Sequence, residues 1–170
     1  MPLTPPSPRS LAHSRTINCR GYQRDDGLWD IEGHLVDTKP FPIPNRDRGG
    51  EIPPGEPLHD MRVRLTLDDT LRIVDAEAVI DWSPFSRCRG ATQSFDRLIG
   101  LRIAPGWNRQ VRRLIGGEAG CTHINEMLAQ MATTAIQTIY GVRQRDGTIS
   151  DDERKLVSLQ RCYALPRKDK

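Results

Sequence analysis

The residues most suited to chemistry are Gly120-Cys121-Thr122-His123, at the head of the longest helical run in the chain. A cysteine just before a helix start lies near unpaired backbone N–H groups and the positive end of the helix dipole, both of which favour thiolate. An imidazole two residues later can accept the thiol proton or share a metal with the sulfur. The preceding Gly116-Gly117-Glu118-Ala119-Gly120 is a flexible turn whose N–H donors suit an anion or oxyanion. Cys121 and His123 are therefore the candidate catalytic pair. The plainer reading of the same residues is a small buried cysteine beside an ordinary first-turn histidine. Cys-x-His alone has neither the ligand count nor the spacing of a zinc motif.

Further ligands can join only through the fold. His59-Asp60 stands at the mouth of a β-hairpin, and Cys88 follows that hairpin's far strand. Both arms of a hairpin meet the same sheet edge. If the main helix starts over that edge, His59, Asp60, Cys88, Cys121 and His123 converge as a metal site. Two cysteines and two histidines suit zinc, or iron with the carboxylate added.

The elements that must position these residues fall into two halves. Thr16 to Arg24, the turn Asp25-Asp26-Gly27, and Leu28 to Lys39 read as a first hairpin. Trp29, Ile31, Gly33 and Leu35 alternate with polar residues, giving one dry face. Residues 40–57 form a long proline- and glycine-rich loop of the kind that serves as a lid or binding loop. A second hairpin carries Met61, Val63, Leu65 and Leu67, turns at Asp68-Asp69-Thr70, and returns through Leu71 to Trp82. The apolar parity switches at Ile73-Val74, which predicts a β-bulge there. Helices are expected over Ala91–Ile99, over Trp107–Ile115, and over His123–Tyr140, the last with Thr122 as N-cap and Gly141 as C-cap. Asp151–Gln160 predicts a final short helix. The fold class is α+β: an antiparallel sheet of two hairpins packed on a long central helix and shorter helices. Residues 15–165 read as one domain, between a disordered proline-rich segment 1–14 and a basic tail 166–170.

Composition narrows the function classes. A net charge of +3 is too small to indicate nucleic acid, and no basic-aromatic platform appears. No run of about 18 apolar residues exists to span a membrane. The four cysteines, 19, 88, 121 and 162, form no CxxC pair, and no export signal precedes them. They read as reduced thiols of a cytoplasmic protein, Cys19 and Cys162 serving as packing residues. Asp25, Asp26 and Asp30 read as turn chemistry rather than a paired-carboxylate site. Arg109, Arg112 and Arg113 read as a solvated helix face, and Trp29, Trp82 and Trp107 as core anchors.

The run from Cys19 to Lys39, His59-Asp60-Met61, and Gly-Gly-x-x-Gly-Cys-Thr-His at 116–123 together resemble a family of uncharacterised bacterial proteins known only as a domain of unknown function. The resemblance extends from about Arg15 to Leu165. It implies a small stand-alone bacterial protein and carries no activity, cofactor or catalytic residue with it.

Two functions follow as expectations. One is a small enzyme or ligand-binding protein, built on the Cys121–His123 site and acting on a small molecule. The other is a non-catalytic interaction protein. Its helix face Gln130, Thr134 and Gln137 is uncharged where a surface helix is normally charged, so it would meet a second copy or a larger enzyme.

Overall fold

A computed structural model describes residues 3–150. The expected helix over Asp151–Gln160, Cys162 and the basic tail fall outside them. Among the described residues six strands and two α-helices follow in order: β1 (Ser14–Gln23), β2 (Trp29–Thr38), β3 (Ile43–Asn45), β4 (Gly50–Ile52), β5 (Pro57–Leu67), β6 (Ile73–Trp82), α1 (Trp107–Ile115) and α2 (Thr122–Arg145). An antiparallel sheet in the order β1-β2-β5-β6 forms one layer. α2 lies along β1 and β2, while short 3-10 turns cover β6 and α1 packs between those turns and α2. This is the expected α+β layering.

Alternation builds the inner face. Trp29, Ile31 and Leu35 of β2 are buried and pair directly with Leu67, Leu65 and Met61 of β5. These in turn face Ile73, Ala76 and Ile80 of β6. The first turn behaves as turn chemistry: the Asp26 carboxylate accepts from the Leu28 N–H at 3.2 Å and pairs with Arg24. The parity switch in β6 is a bulge, since Thr66 faces Asp75 and Leu67 faces Ile73, leaving Val74 over. A second break leaves Asp81 over and turns Trp82 to the outer face. Trp82 is therefore 47% exposed under the Arg48 guanidinium and is not the core anchor expected, whereas Trp29 and Trp107 are.

Other expectations need correction. The long loop 40–57 contains its own small hairpin, β3 to β4, closed by a 3-10 turn at Arg46–Arg48. Leu71 belongs to the turn, with φ of 65°, and not to the return strand. The stretch expected as a helix at Ala91–Ile99 is two 3-10 turns, Ser86–Thr92 and Phe95–Leu98. α1 matches its expected bounds. The N-cap of α2 is Cys121, one residue earlier than expected, and no side chain caps it. Gly141 does not stop the helix, which continues to Arg145, because buried Ile139 and part-buried Val142 hold the next turn to the core.

Contact between α2 and β1 depends on Gly21. A Cβ there would collide with the Thr138 side chain. We expect Gly21→Ala to destabilise the fold by about 1–3 kcal/mol, the usual cost of overpacking. Thr138→Ala in the same chain, which removes the hydroxyl and methyl but leaves its own Cβ 2.6 Å from the new one, should recover only part of the loss, read by urea denaturation of both variants.

Candidate functional site

The inner face of β2 does not end at Leu35. Asp37 occupies its next position, with 0% exposure. Strand register supplies its neighbours: Arg15 of β1 is paired directly with Asp37, and Asp37 directly with His59 of β5. Three adjacent strands thus place a guanidinium, a carboxylate and an imidazole in one row at the end of the sheet. The first turn of α2 crosses this row and adds His123 and Glu126.

The contacts are specific. Arg15 grips Asp37 with both nitrogens of its fork, Nε to Oδ1 at 2.7 Å and Nη2 to Oδ2 at 2.8 Å. Its Nη1 donates to Glu126 Oε2 at 3.0 Å. His59 Nδ1 lies 2.9 Å from Asp37 Oδ2. His13 Nε2 approaches Oδ1 at 3.4 Å, and His123 Nε2 stands 3.9 Å from Oδ2. The His59 and His123 rings are tilted together with centroids 4.0 Å apart. On the far side of the His123 ring, Nδ1 is 3.7 Å from Cys121 Sγ, which also touches the Met61 sulfur at 4.0 Å.

Protonation follows from these neighbours. Burial pushes the Asp37 carboxyl up, but the Arg15 hydrogen bonds and charge, aided by His59, outweigh it and hold it below the usual carboxylate range. Burial pulls His59 down, as does the charge of His123, against the opposing bond to Asp37. Burial and then the Arg15 charge pull His123 down as well, opposed by Asp37 and Glu126. At neutral pH the site holds an ionised carboxylate and two neutral imidazoles. An ionised carboxylate only accepts, so His59 donates Nδ1–H to it and carries its lone pair on Nε2.

One ligand atom each from Asp37, His59 and His123 lies within 4.8 Å of the others, and these three side chains are the metal-competent group found among the described residues. Two histidines and a carboxylate are a ligand set used by zinc and by non-haem iron.

Of the residues singled out in the sequence, the structure brings His59, Cys121 and His123 together. It does not bring Asp60 or Cys88. Adjacent strand residues point to opposite faces, so His59 turning inward sends Asp60 outward, where it meets His34 Nε2 at 2.7 Å. Cys88 sits in the 3-10 turn Ser86–Thr92. The segment leading to that turn is tied to the β3–β4 hairpin rather than to the helix start: Asn45 Nδ2 donates to Pro84 O at 2.9 Å and the Ser86 N–H to Asp47 Oδ2 at 2.8 Å. Sequence reasoning missed Asp37, Arg15 and His13. The signal existed, since the dry alternation of β2 runs on to Asp37 and a hairpin centred on the Asp-Asp-Gly turn pairs Asp37 with Arg15.

Two of the glycines before Cys121 have a packing role: a Cβ on Gly116 would strike the Arg112 carbonyl, and one on Gly120 the Ile115 carbonyl at the end of α1. The other flank of α2 lines a separate groove of about 730 Å³, formed with Trp107, Ile103 and Pro105. Residues 13–137 match a family model described as Protein of unknown function (DUF2889). No curated protein and no solved structure matches the chain.

Stability should depend on these ionisations. Histidines held below their ordinary pKa of 6.5 bind fewer protons folded than unfolded, so their contribution is lost as pH falls below 6.5. Asp37, also held low, contributes above the ordinary carboxylate value of 3.8 and loses its contribution as pH falls through its folded value. The melting temperature is expected to fall in two stages on acidification. His59→Gln and His123→Gln should each flatten the upper stage, measured by calorimetry between pH 7.5 and pH 3.

Proposed function

We propose that this chain, which belongs to the family described as proteins of unknown function (DUF2889), is a small metal-binding protein or enzyme of the bacterial cytoplasm. It holds one zinc or iron ion on Asp37, His59 and His123. The observation that carries this reading is the gathering of two neutral imidazoles and an ionised carboxylate at one end of the sheet. Metal ligands must be deprotonated, and the site meets that condition at neutral pH without releasing protons from its imidazoles. To hold one ion together, Asp37 and His59 exchange their mutual hydrogen bond for it: the His59 proton moves to Nε2, Nδ1 turns its lone pair to the ion, and Asp37 keeps Arg15 on its remaining lone pairs. Three protein ligands leave open positions, the arrangement of catalytic rather than closed structural sites. Arg15 and His123, 31% and 28% exposed at their side chains, mark the side from which a small molecule approaches. The three described cysteines are unpaired, which favours a reducing compartment.

A second reading is favoured by the distance of 3.7 Å between Cys121 Sγ and His123 Nδ1. Here Cys121 is a nucleophile, His123 takes its proton, and Asp37 orients the imidazole. A third, the interaction protein, is favoured by the uncharged surface of α2: Gln130 and Gln137 are exposed and Thr134 is half-buried.

Protein purified without chelator is expected to contain about one zinc or iron per chain by elemental analysis. His59→Ala and His123→Ala should each abolish retention. Cys121→Ala, removing the group behind the His123 ring, should weaken metal affinity by about 10–100-fold, as loss of an outer partner does. Metal-free protein whose melting temperature neither Zn²⁺ nor Fe²⁺ raises would refute the metal site. In that case iodoacetamide decides the second reading: Cys121 should be alkylated before Cys19 and Cys88 below pH 8, and His123→Gln should remove the preference.

A further inference from the structure

Among the described residues, β1 is an edge without protection. Its ten residues pair with β2 without a register break, and among the described residues no strand pairs with its other side. It contains no proline, and its charged residues are Arg15 and Arg20 alone. Sheets normally blunt such an edge with charge, proline, a bulge or a covering segment. The opposite edge is treated that way. β6 carries two bulges, and its start is covered by the chain after it: the Ile73 N–H donates to Leu101 O, and the Gly100 N–H to Ile73 O, both at 2.8 Å. The inner face of β1 is also incompletely covered, since Ile17 and Cys19 are only partly buried.

A second, independent feature lies beside it. α2 runs along β1, with Glu126 against Arg15, Thr134 beside Cys19, and Thr138 over Gly21. From Arg15 to Gly21 the strand advances about 20 Å at roughly 3.3 Å per residue. From Glu126 to Thr138 the helix advances about 18 Å at roughly 1.5 Å per residue. Strand and helix are therefore nearly parallel. α2 also lies over β2, where Met127 and Met131 pack on Gly33. Its axis thus sits between the two strands, and the shoulder it turns toward the free edge has Gln130, Thr134, Gln137 and Gly141. No charged residue occurs between Glu126 and Arg143.

We propose that β1 pairs antiparallel with β1 of a second copy about a two-fold axis perpendicular to the sheet, making one continuous eight-stranded sheet. The occupant is a second copy because this pairing is self-complementary and satisfies both features at once. Adjacent strands lie about 4.8 Å apart. Each α2 stands about half a strand spacing inside its own edge, so the two helices come to lie antiparallel on the same face, about 10 Å apart. Packed helices are separated by about 8–10 Å. The uncharged shoulders then face each other, and the partner helix completes the cover over Ile17 and Cys19. A charged outer face would make this approach repulsive. The proposal rests on the interaction reading above and is independent of the metal site.

Sedimentation of the reduced protein at micromolar concentration should give twice the chain mass. Gln130→Lys with Gln137→Lys, at exposed positions that leave the fold intact by circular dichroism, should give a monomer. Mixing it with the Gln130→Glu, Gln137→Glu variant should restore the dimer. Amide exchange followed by NMR reads the strand directly: every β1 amide is protected in the dimer, and only alternate ones in the lysine variant. A wild-type monomer overturns both this pairing and self-association through the helix. A dimer whose alternate β1 amides exchange freely overturns the edge pairing alone, leaving the helix-face reading standing.

Discussion

A carboxylate with no exposed surface, in the middle strands of a sheet, is the constraint around which the rest of this structure is arranged. Taking an ion out of water costs several kcal/mol even after relaxation, unless partners and hydrogen bonds replace the lost solvent. Asp37 receives those partners from two sides, Arg15 from the strand before it and His59 from the strand after it, while the His123 ring stands 3.9 Å away on the helix above. The same arrangement that makes the carboxylate tolerable makes the imidazoles neutral, because burial and the guanidinium work on them in the same direction. Structural necessity and chemical readiness are thus one fact seen from two residues.

The long helix connects this site to the rest of the protein. Its first turn supplies His123 and Glu126, its middle packs Met127 and Met131 into the space left by Gly33, and Thr138 closes on Gly21. One flank serves the sheet edge and the other lines the groove beside α1. The short path from Ile115 to Cys121 fixes where the helix begins. Gly120 lets the chain pass against the Ile115 carbonyl, and Asn125 Nδ2 donates to that same oxygen at 3.1 Å. Movement of α2 would be felt at His123 and at the edge strand together.

Much of this was legible in the residues. Alternation along β2 and β5, the Asp-Asp-Gly turn, the bulge at Val74 and the bounds of α1 all follow from local periodicity, and the structure has them. His59, Cys121 and His123 were found by residue type. Asp37 was not, because a single aspartate in a strand looks like any solvated polar position until the parity of the whole strand is extended to it. Asp60 was misplaced for the complementary reason: adjacency to His59 suggested partnership, whereas strand geometry forbids it. Trp82 and Cys88 depended on a second bulge and on ties to the β3–β4 hairpin. Those are long-range facts without a local signature.

The ion-paired row across the strands also governs how the sheet can assemble. A strand with a uniformly apolar inner face can slip by two residues and still bury the same kind of surface. β1 cannot. Slipping it by two residues sets Ile17 or His13 opposite Asp37 in place of Arg15 and leaves the buried charge without its bidentate partner. Arg15 therefore holds the same register that the Asp-Asp-Gly turn imposes, so the chemistry at one end of the sheet and the turn at the other agree on the alignment of all ten residues of β1.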